Sequence, residues 1–266
     1  MNERDASLKE ARKAESNTEG APRLSRRLFY WWALFTAGLL LIFLGIPAIL
    51  IEWATRRLKV VYPVAVFGAR IWLRLIGARV HVKGGENLER GRAYVLISNH
   101  RSYIDSPALL AFLKKRLGFI AKKELLRVPV LGQGMRYVNA IAIDRSNRTR
   151  AIQTMQTAAE RLRSGISYIV FAEGTRAKEG EFLPFKKGAF YLAIETQAAI
   201  APVAIQNTDK LMGKGKSQAR PGSVAITILP PVETAGLSAD ADIEELIEKV
   251  HSMIAMELKI ESREKD

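Results

Sequence analysis

The 266-residue chain carries 41 Lys and Arg against 27 Asp and Glu, a formal net charge of +14, and contains no cysteine. These figures exclude a disulfide framework, a thiolate nucleophile and a Cys-ligated metal, and they favour an anionic partner: nucleic acid, anionic lipid or a phosphate-bearing substrate. The length suits one sizeable α/β domain with appendages, and the positive charge sits mid-chain, since residues 101–150 hold eleven Lys and Arg against three Asp and Glu while 239–266 hold four against nine.

In chain order, residues 1–27 are rich in charge, Ala, Ser and Gly without a strong apolar face, and read as a poorly ordered arm. From 28 to 51 there is no charged residue for 24 positions, more than the ~20 a helix needs to cross a bilayer. A signal peptide would have a shorter apolar core, ~7–15 residues, and a small-residue cleavage pattern. Arg23, Arg26 and Arg27 precede the run and Arg56, Arg57 and Lys59 follow it, which gives no orientation for a crossing but suits a hairpin returning to one face. Trp31, Trp32 and Trp53 flank it as an aromatic belt does. Gly45 and Pro47 weaken the helix near its far end. Residues 58–77, mostly apolar with Arg70 and Arg74 one turn apart, read as an interfacial helix. Residues 28–77 are therefore expected to form a two-helix membrane anchor that dips into one leaflet.

Residues 78–266 alternate short β-type runs with helical stretches, the pattern of an α/β domain. Strands are predicted at 79–83, 94–98, 118–121, 140–143, 167–171, 201–205 and 223–229. Helices are predicted at 106–115, 148–163, 188–195 and 240–260, and 210–222 is a Gly/Lys-rich loop.

Among three histidines, His81, His100 and His251, only His100 sits where a predicted strand ends, in Asn99-His100-Arg101-Ser102-Tyr103-Ile104-Asp105. Functional groups gather at strand C-termini in α/β domains, and a histidine there can take a proton near neutral pH. Asp105, across a short loop, can fix the imidazole tautomer and stabilise its cation. Read from these residues alone, the alternative stands beside it: His100 a satisfied loop histidine and Asp105 a helix cap, with Pro107 in the first turn.

Further blocks follow: Lys122-Lys123-Glu124-Leu125, Ala142-Ile143-Asp144-Arg145, Phe171-Ala172-Glu173-Gly174-Thr175-Arg176, Leu183-Pro184-Phe185-Lys186-Lys187-Gly188 and Ala201-Pro202-Val203. With the N-H-x4-D pattern of Asn99, His100 and Asp105, they make residues 84–207 resemble the glycerolipid acyltransferases, whose best-known members are the 1-acyl-glycerol-3-phosphate acyltransferases. The resemblance implies an α/β fold with a mixed sheet flanked by helices and a membrane-dipping helical pair in front of it. It implies His100 as base and Asp105 as its orienter, acting on the acceptor's own hydroxyl. The block Glu173, Gly174, Thr175 and Arg176 is then expected to bind the acceptor's phosphate: Gly174 permits close approach, Thr175 offers a hydroxyl and Arg176 a planar fork. Arg145, Lys122 and Lys123 can add positive charge, although Lys122 and Lys123 also read as a solvated pair. Glu173 is expected to orient Arg176 or a neighbouring backbone group, and Lys186 and Lys187 to face the surface or membrane. The family's usual proline before the glutamate is Ala172 here, which relaxes the loop without removing a polar group.

The function so implied is transfer of a fatty acyl group from acyl-CoA or acyl-acyl carrier protein, as co-substrate, to a lysophospholipid hydroxyl, first of all the sn-2 hydroxyl of 1-acyl-glycerol 3-phosphate to give phosphatidic acid, with another lysolipid or glycerol 3-phosphate as the alternative acceptor. No further cofactor and no metal is expected. The expected partners are the bilayer, a lysophospholipid acceptor and the thioester donor, with no nucleic acid. The expected location is a membrane, for a bacterial chain the cytoplasmic face of the inner membrane. No G-x-S-x-G elbow, G-x-G-x-x-G or H-E-x-x-H is present, and Gly215-Lys216-Ser217 lacks a P-loop's earlier glycine, that position being Lys210. The competing classes are a membrane-tethered nucleic-acid-binding protein, which leaves His100, Asp105 and the Glu173 block unexplained, and a catalytically silent scaffold that binds anionic lipid.

Overall fold

The computed structural model describes residues 23–56, 59–143 and 148–259. Seven strands form one sheet: β1 (Ala78–Lys83), β2 (Val95–Ser98), β3 (Leu117–Lys122), β4 (Ile141–Ile143), β5 (Ser167–Phe171), β6 (Ile200–Gln206) and β7 (Gly222–Ile228). Their order is β1-β7-β6-β2-β5-β3-β4, and every pair is parallel except β6 with β7. The parallel run β6-β2-β5-β3-β4 therefore delivers its carboxyl ends to one edge, where Ser98 leads into Asn99 and His100.

Strand alternation divides the core in two. Leu96, Phe119, Ile169, Val203 and Ile226 face one helical layer, and Val95, Ile97, Tyr168, Val170 and Ala204 face the other. The second layer is α6 (Arg148–Arg163), α7 (Gly188–Thr196) and α9 (Ala239–Leu258), the last presenting Ile243, Leu246, Val250 and Ile254 at helical spacing. Ser238 caps α9: its hydroxyl accepts from Ala241 N at 3.3 Å while Asp242 Oδ2 accepts from Ser238 N at 2.7 Å.

The first layer holds the N-terminal helices. Helix α1 (Arg23–Leu40) runs through a π-turn at Leu41–Gly45 into α2 (Ile46–Thr55), and α3 (Val61–Leu75) returns beside it. Pro47, near the start of α2, has no N–H to give its preceding turn, and the helix accommodates this by widening over Leu41–Gly45. Arg56 turns the chain in the left-handed conformation, and Glu52 Oε2 accepts from Val61 N at 2.8 Å, closing the start of α3. Ala33, Trp72, Leu73 and Ile76 are buried in the sheet's own core, with Trp72 Nε1 donating to Ala33 O at 2.8 Å. Arg70, expected at an interface, donates from Nε to Ala111 O at 2.9 Å, near the end of α4 (Asp105–Phe112).

Several boundaries differ from expectation. The expected arm lies outside the described residues up to 22, and from Arg23 the chain is already helical, so the break placed at residue 28 falls inside α1. Two short helices, α5 (Leu131–Tyr137) and α8 (Thr208–Met212), were not expected, being too short to show a periodicity, and α8 shortens the loop expected at 210–222.

Candidate active site

Asn99 opens the site. Its amide pairs with the neighbouring strand as a backbone unit would: Nδ2 donates to Ile205 O and Oδ1 accepts from Ile205 N, both at 2.8 Å. The main chain is thereby free to leave β2, carrying His100 to the edge.

Helix α4 begins with Asp105, and Ile104, not Asp105, is its capping residue. Asp105 is fully buried, and its Oδ2 accepts from Arg101 N at 2.8 Å, Ser102 N at 2.9 Å and His100 Nδ1 at 2.7 Å. An oxygen that already accepts two backbone N–H bonds is an acceptor towards the ring as well, so Nδ1 carries the proton and Nε2 presents a lone pair. Asp105 thus contacts the imidazole at Nδ1 and makes no side-chain cap bond to its own helix. The His100 ring is one-fifth exposed and stacks on Phe171 at 3.9 Å between centroids with 16° between planes, fixed on its face as well as its edge.

The turn after β5 supplies the second wall. Glu173 is 2% exposed, and its carboxylate accepts from His100 N at 2.8 Å through Oε1 and from Leu183 N at 3.1 Å through Oε2. Of the partners expected for it, Arg176 or a backbone group, the structure has the backbone. Ala177 N donates to His100 O at 2.7 Å, so the two segments are tied on both sides of the histidine. Gly174 has φ +74°, and a Cβ there would lie 2.8–3.0 Å from the Lys186 side chain, which crosses over it. Lys186 and Lys187 are exposed, as expected for the surface; the Lys186 side chain also lies over the Glu173 block, and Lys187 pairs with Glu244.

Burial pushes the Glu173 carboxyl up to about 7, with the His100 and Leu183 N–H groups pulling the other way. The folded protein then holds this proton more tightly than the unfolded chain does. The stabilisation, on the order of 3 kcal/mol, is complete below the unfolded value near 4.5 and is lost as pH rises through 7. The melting temperature is therefore expected to fall between about pH 5 and pH 8, and to fall less in Glu173→Gln. Identical pH profiles for the two proteins in thermal melts would contradict this.

Arg176 lies with its Cζ 3.7 Å from the centre of the Tyr103 ring, and its Nη1 is buried with no hydrogen-bond partner among the described residues. A guanidinium held by a ring face keeps its edge for an anion. Lys214 Nζ donates to Arg176 O at 2.6 Å and lies 3.5 Å from the exposed Thr175 hydroxyl. Lys122 ends β3 and Lys123 follows it on the same edge, beyond β5 from His100; the Lys122 side chain is 61% exposed and 3.7 Å from Glu124. Arg145 lies outside the described residues. The structure thus brings His100, Asp105, Glu173, Gly174, Thr175 and Arg176 together, and leaves Lys122 at the rim. It adds Phe171, Tyr103, Arg101 and Lys214, which no spacing rule marks, though three of them flank the expected residues in sequence. A partly exposed histidine with an unprotonated ring nitrogen, in the same loop cluster as an anion-ready guanidinium, can deprotonate a hydroxyl on a phosphate-bearing molecule.

A family model described as Acyltransferase matches residues 79–206. The 1-acyl-sn-glycerol-3-phosphate acyltransferase of Limnanthes douglasii is 32% identical over 216 residues, 80% of this chain and 75% of that one. The alpha enzyme of that name from Homo sapiens is 36% identical over 184 residues, 68% of this chain and 65% of its own. The crystal structure of the 1-acyl-sn-glycerophosphate (LPA) acyltransferase PlsC from Thermotoga maritima superposes with a TM-score of 0.78 at 28% identity, covering 92% of this chain and all of that one. Fold, motif order and extent of identity agree, and this chain belongs to the 1-acyl-sn-glycerol-3-phosphate acyltransferase family of glycerolipid acyltransferases.

Proposed function

We propose that the chain transfers a fatty acyl group from an acyl thioester to the sn-2 hydroxyl of 1-acyl-glycerol 3-phosphate, making phosphatidic acid, with His100 as the general base. The observation that carries this reading is the His100–Asp105 contact at 2.7 Å, which leaves Nε2 as acceptor. The hydroxyl proton passes to Nε2 as its oxygen bonds the thioester carbonyl carbon. The resulting imidazolium is stabilised by Asp105. Collapse of the tetrahedral intermediate breaks the C–S bond, and the thiolate recovers the proton from Nε2, so that base and acid are one residue and no serine nucleophile is needed. Coenzyme A and acyl carrier protein present the same thioester, and either serves this step. The names of the relatives support the acceptor, and so does Arg176, whose fork suits its phosphate.

Arg176→Ala is the test of the acceptor. The apparent KM for the lysophospholipid is expected to rise ~10- to 100-fold, with that for the donor little changed and Arg176→Lys recovering only part of the loss. Equal losses for both substrates with a lowered melting temperature would make Arg176 a structural residue instead.

The same reading places the enzyme on a membrane surface. Helix 23–55 is long and apolar enough to cross a membrane by length and composition, yet two points along it rest on the catalytic domain. Ala219 N donates to Arg26 O at 3.0 Å, and Gly45 lies against Val130. About 29 Å of helix is thus held along the domain, which supports an anchor lying in one leaflet, on the cytoplasmic face if the cell is bacterial. Trp31, Phe35, Phe43 and Trp53 are each more than half exposed and form its lipid face. Replacing all four with Ser is expected to lower vesicle binding at least ~100-fold, since each buried aromatic contributes roughly 1.5–3 kcal/mol. Cosedimentation unchanged by the substitutions would refute this face. Deleting residues 1–77 is the poorer experiment, because it strips Trp72, Leu73 and Ile76 from the core.

A further inference from the structure

Where the anchor meets the catalytic edge there is a cavity of about 350 Å³, walled by Arg26 of α1, Lys210 of α8, and Lys216 and Arg220 of the connection to β7. Two carboxylates, Glu179 and Asp209, share it, leaving the cations in excess by two. Both carboxylates are already engaged: Glu179 pairs with Lys216, and Asp209 Oδ2 stands 3.5 Å from Arg101 Nη1. Backbone contacts fix the walls. Arg220 Nε donates to Lys210 O at 2.9 Å, Arg220 N to Leu211 O at 2.9 Å, and Ala219 N to Arg26 O.

The cavity adjoins the chemistry without being part of it. Arg101, whose guanidinium faces Asp209, directly follows His100, and Lys214, between Lys210 and Lys216 in sequence, donates to the Arg176 carbonyl. The cavity lies on the β6–β7 side of His100, whereas Lys122 lies on the β5–β3 side. A transferase with two substrates needs two places to hold them, and Arg176 accounts for one phosphate only.

We propose that this cavity binds the phosphate groups at the nucleotide end of a coenzyme A thioester, which rests on the reading above that the acyl donor is a thioester. A 3′-phosphate and a diphosphate bring several negative charges to a wall that carries four cations, while the single phosphodiester of a carrier protein's arm brings one. The nucleotide end seated here leaves the flexible pantetheine arm to reach His100, whose neighbour Arg101 contacts Asp209 in the cavity wall. One wall, Arg26, belongs to the anchor, so the donor is gripped jointly by anchor and domain.

The test is the doubly substituted full-length protein, Lys210→Glu with Lys216→Glu, both lysines being exposed. Its KM for acyl-CoA is expected to rise at least ~10-fold, as loss of charge-assisted contacts requires, with the KM for the lysophospholipid unchanged. Activity with the S-acyl pantetheine fragment, which lacks the nucleotide and all three phosphates, should be equal in the two proteins. Calorimetric titration with coenzyme A itself, in which no acceptor takes part, should show binding to the parent protein and a matching loss in the variant. A protein that binds coenzyme A in this way but acylates no lysophospholipid would overturn the proposed function and keep this site. An acyl-CoA KM unchanged by the substitutions would overturn the site. So would a loss confined to acyl carrier protein donors, or one confined to binding of vesicles that contain anionic lipid, since each assigns the phosphate to another source.

Discussion

His100→Ala is expected to reduce acyl transfer by ~10²–10⁴-fold, the usual contribution of a general base, with little change in fold. Removing the ring takes away the only acceptor the mechanism uses, but it does not strand the buried partner. Asp105 Oδ2 keeps the Arg101 and Ser102 N–H groups, so its charge remains compensated. The stack on Phe171 is lost, which costs a modest amount of stability and leaves a space beside β5. Steady-state rates with a labelled thioester and a thermal melt measure the two separately. Activity near that of the parent protein would remove His100 from the mechanism.

The second large effect is expected at Asp105. In Asp105→Asn the amide oxygen can still accept the two backbone N–H bonds and the Nδ1 proton, so the geometry survives while the negative charge does not. The imidazolium formed during proton transfer then lacks its counter-charge, and a loss of ~10²–10⁴-fold is expected with a small change in melting temperature. Asp105→Ala removes the acceptor altogether. It strands two buried N–H groups, each costing ~1–3 kcal/mol, and should lose stability along with activity. If the Asn variant were as unstable as the Ala variant, Asp105 would be a loop-building residue first and an orienter only by position.

The difference between these variants bears on what the sequence alone discloses. Spacing is enough to put His100 and Asp105 five residues apart across a strand end, and the predicted strand 167–171 coincides with β5. The fold class follows from the alternation of apolar runs, because each strand is either buried on both faces or bounded by turn residues. Spacing does not show which of two roles a short-range carboxylate plays. That depends on whether its oxygen meets the N–H groups ahead of the helix or those within it, a matter of backbone dihedrals over residues 101–104. Glu173 is opaque for a related reason: its partners, His100 N and Leu183 N, are far apart in sequence, and only the folded turn shows that it ties the base to the segment holding Lys186. The N-terminal apolar run was legible, but its attachment to the rest of the chain was not, since the contacts at Arg26 and Gly45 are made to residues 219 and 130. Ala172, where the family usually has proline, is buried and accepts from Lys186 N at 2.8 Å through its carbonyl, so the turn is held without the ring.

The most direct measurement of the central claim is product identification by mass spectrometry. The purified, vesicle-bound protein is given one acyl thioester and, in separate reactions, lysophosphatidic acid, glycerol 3-phosphate, lysophosphatidylcholine and no acceptor. The account predicts phosphatidic acid acylated at sn-2 from lysophosphatidic acid, with free thiol released in equal amount and only a trace of fatty acid when no acceptor is present. Release of fatty acid at the same rate with and without lysophosphatidic acid, or preferential acylation of an acceptor that carries no terminal phosphate, would contradict it.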